Sequence, residues 1–502
     1  MAYLLGIDLG TSGTKTLICD YAGTVLATGH APHTVQSPKP GWSEQDPAQW
    51  WAACKKAVKQ VVKKAGIDGK QVTAIGLSGQ MHGSVFVAKD ADDTSEALRP
   101  ALLWNDQRTQ AQCDEITAKA GGPRKLIQAV GNPALTGFQA PKVLWVRDHE
   151  PRVFAKTAHV LLPKDWLRLR LTGELATEVS DASGTLLLDV KKRKWNTALM
   201  RKLGLDPALF PRCVESHEVT GGLTKRAAKA LGLSEGVAVV GGAGDQAAGA
   251  VGNGIVKRGI VSATLGTSGV VFAHSDEPTY DKAGRVHTMC HAVPGKWCVF
   301  GCMLSAAGSL QWFRDSLAPK AAFGKLVDEA AGIAAGSDGL FFLPYLTGER
   351  CPYPDPEARG AFIGLTPSHS RAHLTRAVLE GVTLGMADQV RIMRDGMGIA
   401  MKSVRLSGGG AKSLFWRQLQ ADVYGTPVAL TNANEGGAYG VALLAGVGTG
   451  VWKSVPEACA ATIEQTETLK PAAKAKRFYA ERHAVYASLY PALRTVFPAL
   501  AV

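Results

Sequence analysis

The chain contains no Gly-x-x-x-x-Gly-Lys-Ser/Thr motif and no Gly-x-Gly-x-x-Gly, so neither a P-loop nor a standard dinucleotide fold is expected. It has no Cys-x-x-Cys pair, and its 9 cysteines, an odd number, are scattered from Cys19 to Cys459. That excludes a disulfide scaffold and points to free thiols in a reducing cytoplasm. Long apolar runs are missing too. The opening MAYLLGIDLG meets Asp8 too early for a signal core, and the weakly polar stretch 237–256 is broken by Asp245 and several glycines. No membrane partner is expected. The 56 glycines follow no triplet period, which excludes a collagen-like fibre and predicts many tight turns.

What remains is a globular composition. With 502 residues, 46% apolar and 20% charged, the chain has material for two to four domains of about 150 residues each. The formal net charge is +13, but the basic residues lie in short pieces. Lys55, Lys56, Lys59, Lys63 and Lys64 have the spacing of a solvated helix face, and KKRK at 191–194 falls where a hairpin turn is expected. Neither is interleaved with aromatics as a base-stacking surface is, so no nucleic-acid partner is expected. A basic surface attracts phosphorylated ligands instead. His287, Cys290, His291, Cys298 and Cys302 match no standard zinc spacing; VHTMCHAVPGKWCVFG reads as a hairpin turning at Pro-Gly.

The informative feature is an internal repeat. Residues 4–18 (LLGIDLGTSGTKTLI) and 259–274 (GIVSATLGTSGVVFAH) each hold LGTSG between two apolar, β-branched runs: strand, tight turn, strand. Residues 72–83 (VTAIGLSGQMHG) and 404–413 (VRLSGGGAKS) each end an apolar strand in LSG, and each follows an amphipathic helix, over about 47–65 and about 371–395. A looser pair of Gly/Ala-rich helix starts lies at 244–252 and 435–448. The same order therefore occurs twice, with the halves meeting near residue 252. Two related α/β domains facing each other across a cleft are expected.

Turns of Gly, Thr and Ser present backbone N–H groups and hydroxyls without bulk, and a matched pair can grip a polyphosphate from both sides. Asp8 before the first turn can hold a hydrated Mg²⁺, and Lys15 after it can neutralise a terminal phosphate. SGGGAKS (407–413) lets backbone lie close to a flat adenosine-like ligand. Asp245, where a strand passes into a helix, has two open readings, a helix N-cap and a general base. Gln80, His82, Trp104, Asn105, Asp106 and Arg108 are the amide, acid and aromatic groups that bind polyols, each with a structural alternative.

These motifs carry a resemblance. GIDLGTSGTK, LSGQMHG, LLWNDQRT, GAGDQAAGAVG, TLGTSGV, YLTGER and SGGGAKSLFWRQLQADV resemble, in order and spacing over about residues 3–450, the FGGY family of carbohydrate kinases in the actin–hexokinase–chaperone ATPase superfamily. GAFIGL at 360–365, followed seven residues later by HLxxAVLE at 373–380, is similar to the family's second-domain signature. The pair LSGQMHG and LLWNDQRT resembles the xylulokinase-like branch. The resemblance implies an α/β fold of two duplicated actin/hexokinase-like (ribonuclease H-like) domains flanking a central cleft. Residues 1–252 would be the sugar-binding and phosphate-loop domain and 253–502 the nucleotide-binding domain, with 451–502 a terminal helical extension. It implies ATP and Mg²⁺ as cofactors and D-xylulose or a related polyol as substrate; a homodimer is expected on the resemblance alone. Asp245 matches the catalytic base, and Met81 and His82 the ketose contacts. Asp8, Thr11, Ser12 and Lys15 match the first phosphate loop, and Gly266, Thr267 and Ser268 the second. Gly409, Gly410 and Lys412 fall at the adenosine site. Gln246 stands where an Asn that touches the sugar is usual, a longer side chain that shifts the sugar or meets it through water. Cys351 and Tyr353 replace the commoner Thr and His. An actin-like ATPase without a sugar acceptor is the rival of another class; the fifty or so residues after Gly450 leave no room for its peptide-binding module.

Overall fold

The structure is a computed structural model that describes residues 1–433 and 435–500. Near-continuous apolar runs, buried on both faces, form Tyr3–Leu9 and Gly13–Asp20 into an antiparallel hairpin with Leu9 opposite Thr14; Gly259–Leu265 and Gly269–Ser275 form another, with Leu265 opposite Gly269. In each half a third strand, Val25–Pro32 or Trp297–Met303, joins the second antiparallel. The LSG strand, Val72–Gly79 or Met401–Gly408, joins the first in parallel, setting Leu9 beside Gly79 and Leu265 beside Gly408. A fifth strand, Ala238–Val240 or Val428–Thr431, continues in parallel. The strand order third-second-first-fourth-fifth is thus the same in both seven-stranded sheets. This is the duplicated actin/hexokinase-like α/β architecture.

A parallel connection needs a crossover, and helices supply it. Pro47–Ala65 begins at Asp46, whose carboxylate accepts the Ala48 N–H at 2.9 Å, and buries Trp50, Cys54, Val58 and Val61. Its counterpart Arg371–Arg391 starts with a Ser370–His373 capping box and is largely buried.

Chain order and packing diverge at one helix. Gly436–Gly448, from the second half, lies on the first sheet with Ala438, Val441 and Ala442 against Leu4, Leu17 and Ala74. The approach is so close that a Cβ on Gly76 would fall 1.8 Å from the Val441 carbonyl oxygen. This helix also crosses the helix Asp245–Gly252, so the two halves interlock behind the cleft.

The basic tetrapeptide 191–194 turns between Leu188–Asp189 and Lys194–Trp195, and the histidine–cysteine segment is the hairpin His287–Cys290/Trp297–Met303 with Gly295 at φ 64°. The C-terminal segment departs from a purely helical extension. Between the helices Val455–Thr462 and Ala473–Leu493, Gln465–Leu469 pairs antiparallel with Val428–Thr431. An edge strand half-open to solvent needs no long apolar run, so QTETL carries little sequence signal.

Candidate active site

The chain that delivers Asp245 is held at three points. Fully buried Arg168, on the helix Pro163–Thr172, donates to the carbonyls of Val240 (2.7 Å) and Gly241 (2.6 Å), and the Ser180 hydroxyl accepts the Gly244 N–H at 3.1 Å. Glu178 fixes Ser180 in turn, accepting its N–H at 2.7 Å. The charges balance in place: Lys164 Nζ lies 2.7 Å from Asp165, 3.3 Å from Asp181 and 3.4 Å from Glu178, all without exposure. Burial, with Asp165 and Glu178 alongside, pushes Asp181 well above the ordinary carboxylate range. A buried cluster of this kind is rigid because any member moved alone leaves an unpaired charge.

Asp245 opens onto a cavity of ≈ 200 Å³. Met81, His82, Trp104, Gln246 and Ser268 share its lining. Burial pushes the Asp245 carboxyl up to about 7, nearby Asp8 adds to the rise, and hydrogen bonds from Gln246 oppose it. His82 takes the left-handed backbone conformation at φ 68°, and its Nδ1 lies 2.8 Å from the Gly184 carbonyl oxygen. A carbonyl only accepts, so Nδ1 carries the proton and Nε2 is left as an acceptor. Burial lowers the His82 pKa to about 3, and the ring is neutral. His287, also on the lining and against the same Phe138 ring as His82, repeats this. Its Nδ1 lies 3.1 Å from Asn132 Oδ1, and the Asn132 amide nitrogen donates to the Thr288 carbonyl at 2.8 Å, which fixes the amide orientation. Its pKa is likewise lowered by burial, to about 3.

The second glycine turn lines this cavity through Ser268, and the first, outside the lining, is tied to it through Trp104. In the first, Thr11 donates to Gln80 Oε1 at 3.3 Å and accepts the Trp104 indole N–H at 3.0 Å, while Gln45 holds its carbonyl at 2.7 Å. Ser12 and Lys15 are exposed, and Lys15 is the cross-strand partner of Asp8. Burial raises the Asp8 pKa against the opposing effects of nearby Ser78 and the charge of Lys15, and both Asp8 Oδ1 and Ser78 Oγ are buried without a hydrogen-bond partner among the described residues. In the second turn, consecutive residues face different spaces. Ser268 lines the Asp245 cavity, whereas Gly266 and Thr267 line a second cavity of ≈ 1120 Å³. Gly409 and Lys412 also line the larger cavity, whose walls include Phe323, Val327, Leu414 and Phe415. The N–H groups of Ala306 and Ala307 brace the turn from behind, on the carbonyls of Thr267 (2.8 Å) and Gly266 (2.9 Å).

A turn of small residues shared by a small cavity that holds a carboxylate and two histidines and by a large apolar-walled one fits a phosphotransferase. Residues 3–252 match the sequence profile of the N-terminal domain of the FGGY family of carbohydrate kinases, and residues 261–449 that of its C-terminal domain. The chain belongs to the FGGY family of carbohydrate kinases. It is 42% identical over 454 residues to a xylulose kinase of Escherichia coli strain K12, covering 90% of this chain and 91% of that protein. It is 37% identical over 490 residues to a xylulose kinase of Bacillus subtilis, covering 98% and 97%. The solved structure of xylulose kinase from Rhodospirillum rubrum superposes with a TM-score of 0.90 at 31% identity, covering 99% of each chain.

In this FGGY kinase, four residues expected at the sugar do not reach the cavity. Gln80 is buried beneath the first turn, donating to Gln45 Oε1 at 2.9 Å as well as meeting Thr11. Asp106 is fully buried, accepts the Ser43 N–H at 2.7 Å and pairs with Arg108 at 2.6 Å. Arg108 also pairs with Glu44 at 2.8 Å and stacks 3.5 Å from the Trp42 ring centre. Asn105 is exposed outside the cavity lining. The reason is shared: satisfied internal partners outcompete a ligand for Gln80, Asp106 and Arg108, which therefore brace the loop carrying Trp104. Gly410, expected at the nucleotide, is buried against Leu265 instead. Cys351 and Tyr353 do not line the Asp245 cavity; Cys351 is in the second-domain core and Tyr353 stacks on Tyr490 with ring centres 3.8 Å apart.

Conversely, Phe138, His287, Phe300, Cys302 and Arg350 line the Asp245 cavity and were not singled out from sequence as sugar contacts. Arg350 sits within YLTGER, a motif that gave a signal without a role. In sequence His287 and Cys302 raise only the question of a metal, because strand residues show no sign there of which cavity they face.

Proposed function

We propose that this kinase transfers the γ-phosphoryl group of ATP to the terminal O5 hydroxyl of D-xylulose, giving D-xylulose 5-phosphate and ADP. The supporting observation is the second turn, with Thr267 on the larger cavity, Ser268 on the smaller, and Asp245 in the wall of the smaller one. The substrate follows the xylulose kinases that it matches along nearly their whole length.

In this reading ATP occupies the larger cavity, its base between apolar walls and its phosphates against Gly266, Thr267 and Lys412. Asp245 accepts the O5 proton as that oxygen attacks in line. A base with pKa near 7 suits neutral pH, and such help is worth ~10²–10⁴ in rate. His82 Nε2 accepts from a sugar hydroxyl, and Lys15 with the turn amides meets the charge on the phosphoryl oxygens. The unpartnered Oδ1 of Asp8 and the second carboxylate nearby suit Mg²⁺, a hard cation that takes few carboxylates and keeps its waters. Bound there, it would supply positive charge to the nucleotide phosphates. We assign sugar binding and the first phosphate loop to residues 1–252, and nucleotide binding to 253–502. The nine cysteines are free thiols and no helix among the described residues is long and apolar enough to cross a membrane; a cytoplasmic reaction fits these facts.

A coupled ADP-release assay over a panel of ketoses, alditols and aldonates tests the substrate. D-Xylulose is expected to have the highest kcat/KM. A sugar alcohol, an aldonate or another ketose turned over faster, or full ATP turnover without any sugar, would overturn the reading. Asp245→Ala is expected to keep ATP affinity and lose roughly 10²–10⁴ of kcat.

A further inference from the structure

One charged group in the Asp245 cavity has no internal partner. The half-buried Arg350 guanidinium lines the cavity, yet makes no hydrogen bond or ion pair with any described residue. Its backbone is fixed. Buried Glu349 accepts the Arg350 N–H at 2.7 Å and the Leu304 N–H at 3.0 Å, tying this position to the segment that braces the second phosphate turn. The side chain runs beside Gly137, where an added Cβ would stand 3.6 Å from Nη2. The next residue, Phe138, sets its ring edge-on against both His82 and His287, with ring centres 4.9 and 5.7 Å apart. Arg350 therefore stands on the part of the wall that carries the two histidines.

The donor inventory is one-sided. His82 and His287 each offer an acceptor at Nε2, and Asp245 is an acceptor when ionised. The Trp104 N–H is spent on Thr11, and the Ser268 hydroxyl and Gln246 amide are the neutral donors on the lining. Sugar hydroxyls can donate to the histidines and the carboxylate. A ketone oxygen can only accept, and Arg350 is the one cationic donor among the lining residues, the kind that makes the stronger, charge-assisted hydrogen bond. A sugar seated with its terminal hydroxyl at Asp245 brings its ketone end toward Arg350.

We infer that Arg350 donates to the ketone oxygen of the acceptor sugar and is the residue by which this kinase prefers a ketose to the corresponding sugar alcohol. The inference rests on the proposed D-xylulose reading. Its selectivity follows from what happens when the donor is removed. The buried ketone oxygen loses its partner and cannot turn to the histidines, whereas an alcohol at the same carbon rotates its O–H onto an imidazole Nε2 and stays bonded.

The test is steady-state kinetics on the wild type, Arg350→Met and Arg350→Lys, with D-xylulose as substrate and xylitol and D-arabitol as competitive inhibitors. Arg350→Met is expected to raise the D-xylulose KM by roughly 10- to 100-fold, with the ATP KM and both alditol Ki values within about threefold of wild type. Arg350→Lys keeps a cation and a donor and is expected to show a smaller loss with the same selectivity; it carries the test if the Met variant does not fold. An unchanged D-xylulose KM, or equal losses for the ketose and the alditols, would overturn the inference while leaving the functional proposal standing. A wild type that turns over an alditol or an aldonate better than D-xylulose fails the functional proposal itself.

Discussion

A Cβ placed on Gly440 would stand 1.9 Å from the carbonyl oxygen of Ala248, so the helix that begins at Asp245 and the helix Gly436–Gly448 touch backbone to backbone. Neither can shift without the other. Gly440→Ala must push them apart, and overpacking of this kind costs about 1–3 kcal/mol. We expect a lower Tm and a lower kcat, because the displaced helix carries the base. Gly249→Ala, on the same helix but with open space at its Cβ, is the control and should be neutral or slightly stabilising. Equal Tm values for the wild type and Gly440→Ala would contradict the packing.

The acidic limb of the pH–kcat/KM profile should fall as pH drops through about 7, where Asp245 takes up its proton. Asp8→Asn removes the like charge and should move this limb of the residual activity to lower pH. It should not reach the ordinary carboxylate value, because burial is the larger cause. The same shift bears on stability. An acid whose folded pKa is raised holds its proton more tightly folded than unfolded, so stability falls as pH rises from its unfolded value through about 7. Asp245→Asn should therefore raise the Tm of the ligand-free protein more at pH 8 than at pH 5. A gain independent of pH would show that the carboxylate is not under this tension.

His82→Ala removes an acceptor from the cavity and leaves the nucleotide side untouched. The sugar KM should rise by roughly tenfold or more, as for a lost hydrogen bond in a closed site, while the ATP KM stays near wild type. An equal rise for both substrates would place His82 outside sugar recognition.

Ser180→Ala deletes the hydroxyl that holds the Gly244 N–H and touches neither cavity. A slightly misplaced base costs rate rather than binding, so kcat should fall by about tenfold with both KM values retained. Unchanged kcat would mean that Arg168 alone suffices to hold the strand.

Much of this molecule is written locally. LGTSG between two apolar runs encodes a hairpin within some fifteen residues, and its recurrence at 9–13 and 265–269 discloses the duplication and the paired glycine turns. Asp245 is legible only in part: its place at a strand-to-helix junction leaves a helix N-cap and a general base both open, and the resemblance alone favours the base.

Tertiary structure alone decided which polar side chains meet a ligand. Asp106 and Arg108 carry the same chemistry as the residues of a sugar site, but Glu44, Trp42 and the Ser43 amide satisfy them first. His287 enters the cavity from a strand of the second sheet and Arg350 from the loop that Glu349 holds, and both line it with the first domain's His82 and Met81. The pKa of Asp245 was decided in the same way, since desolvation and the nearness of Asp8 exist only once strands over two hundred residues apart have met. Backbone shape follows from neighbours in sequence; a side chain's partners, and with them its charge and its task, follow from neighbours in space.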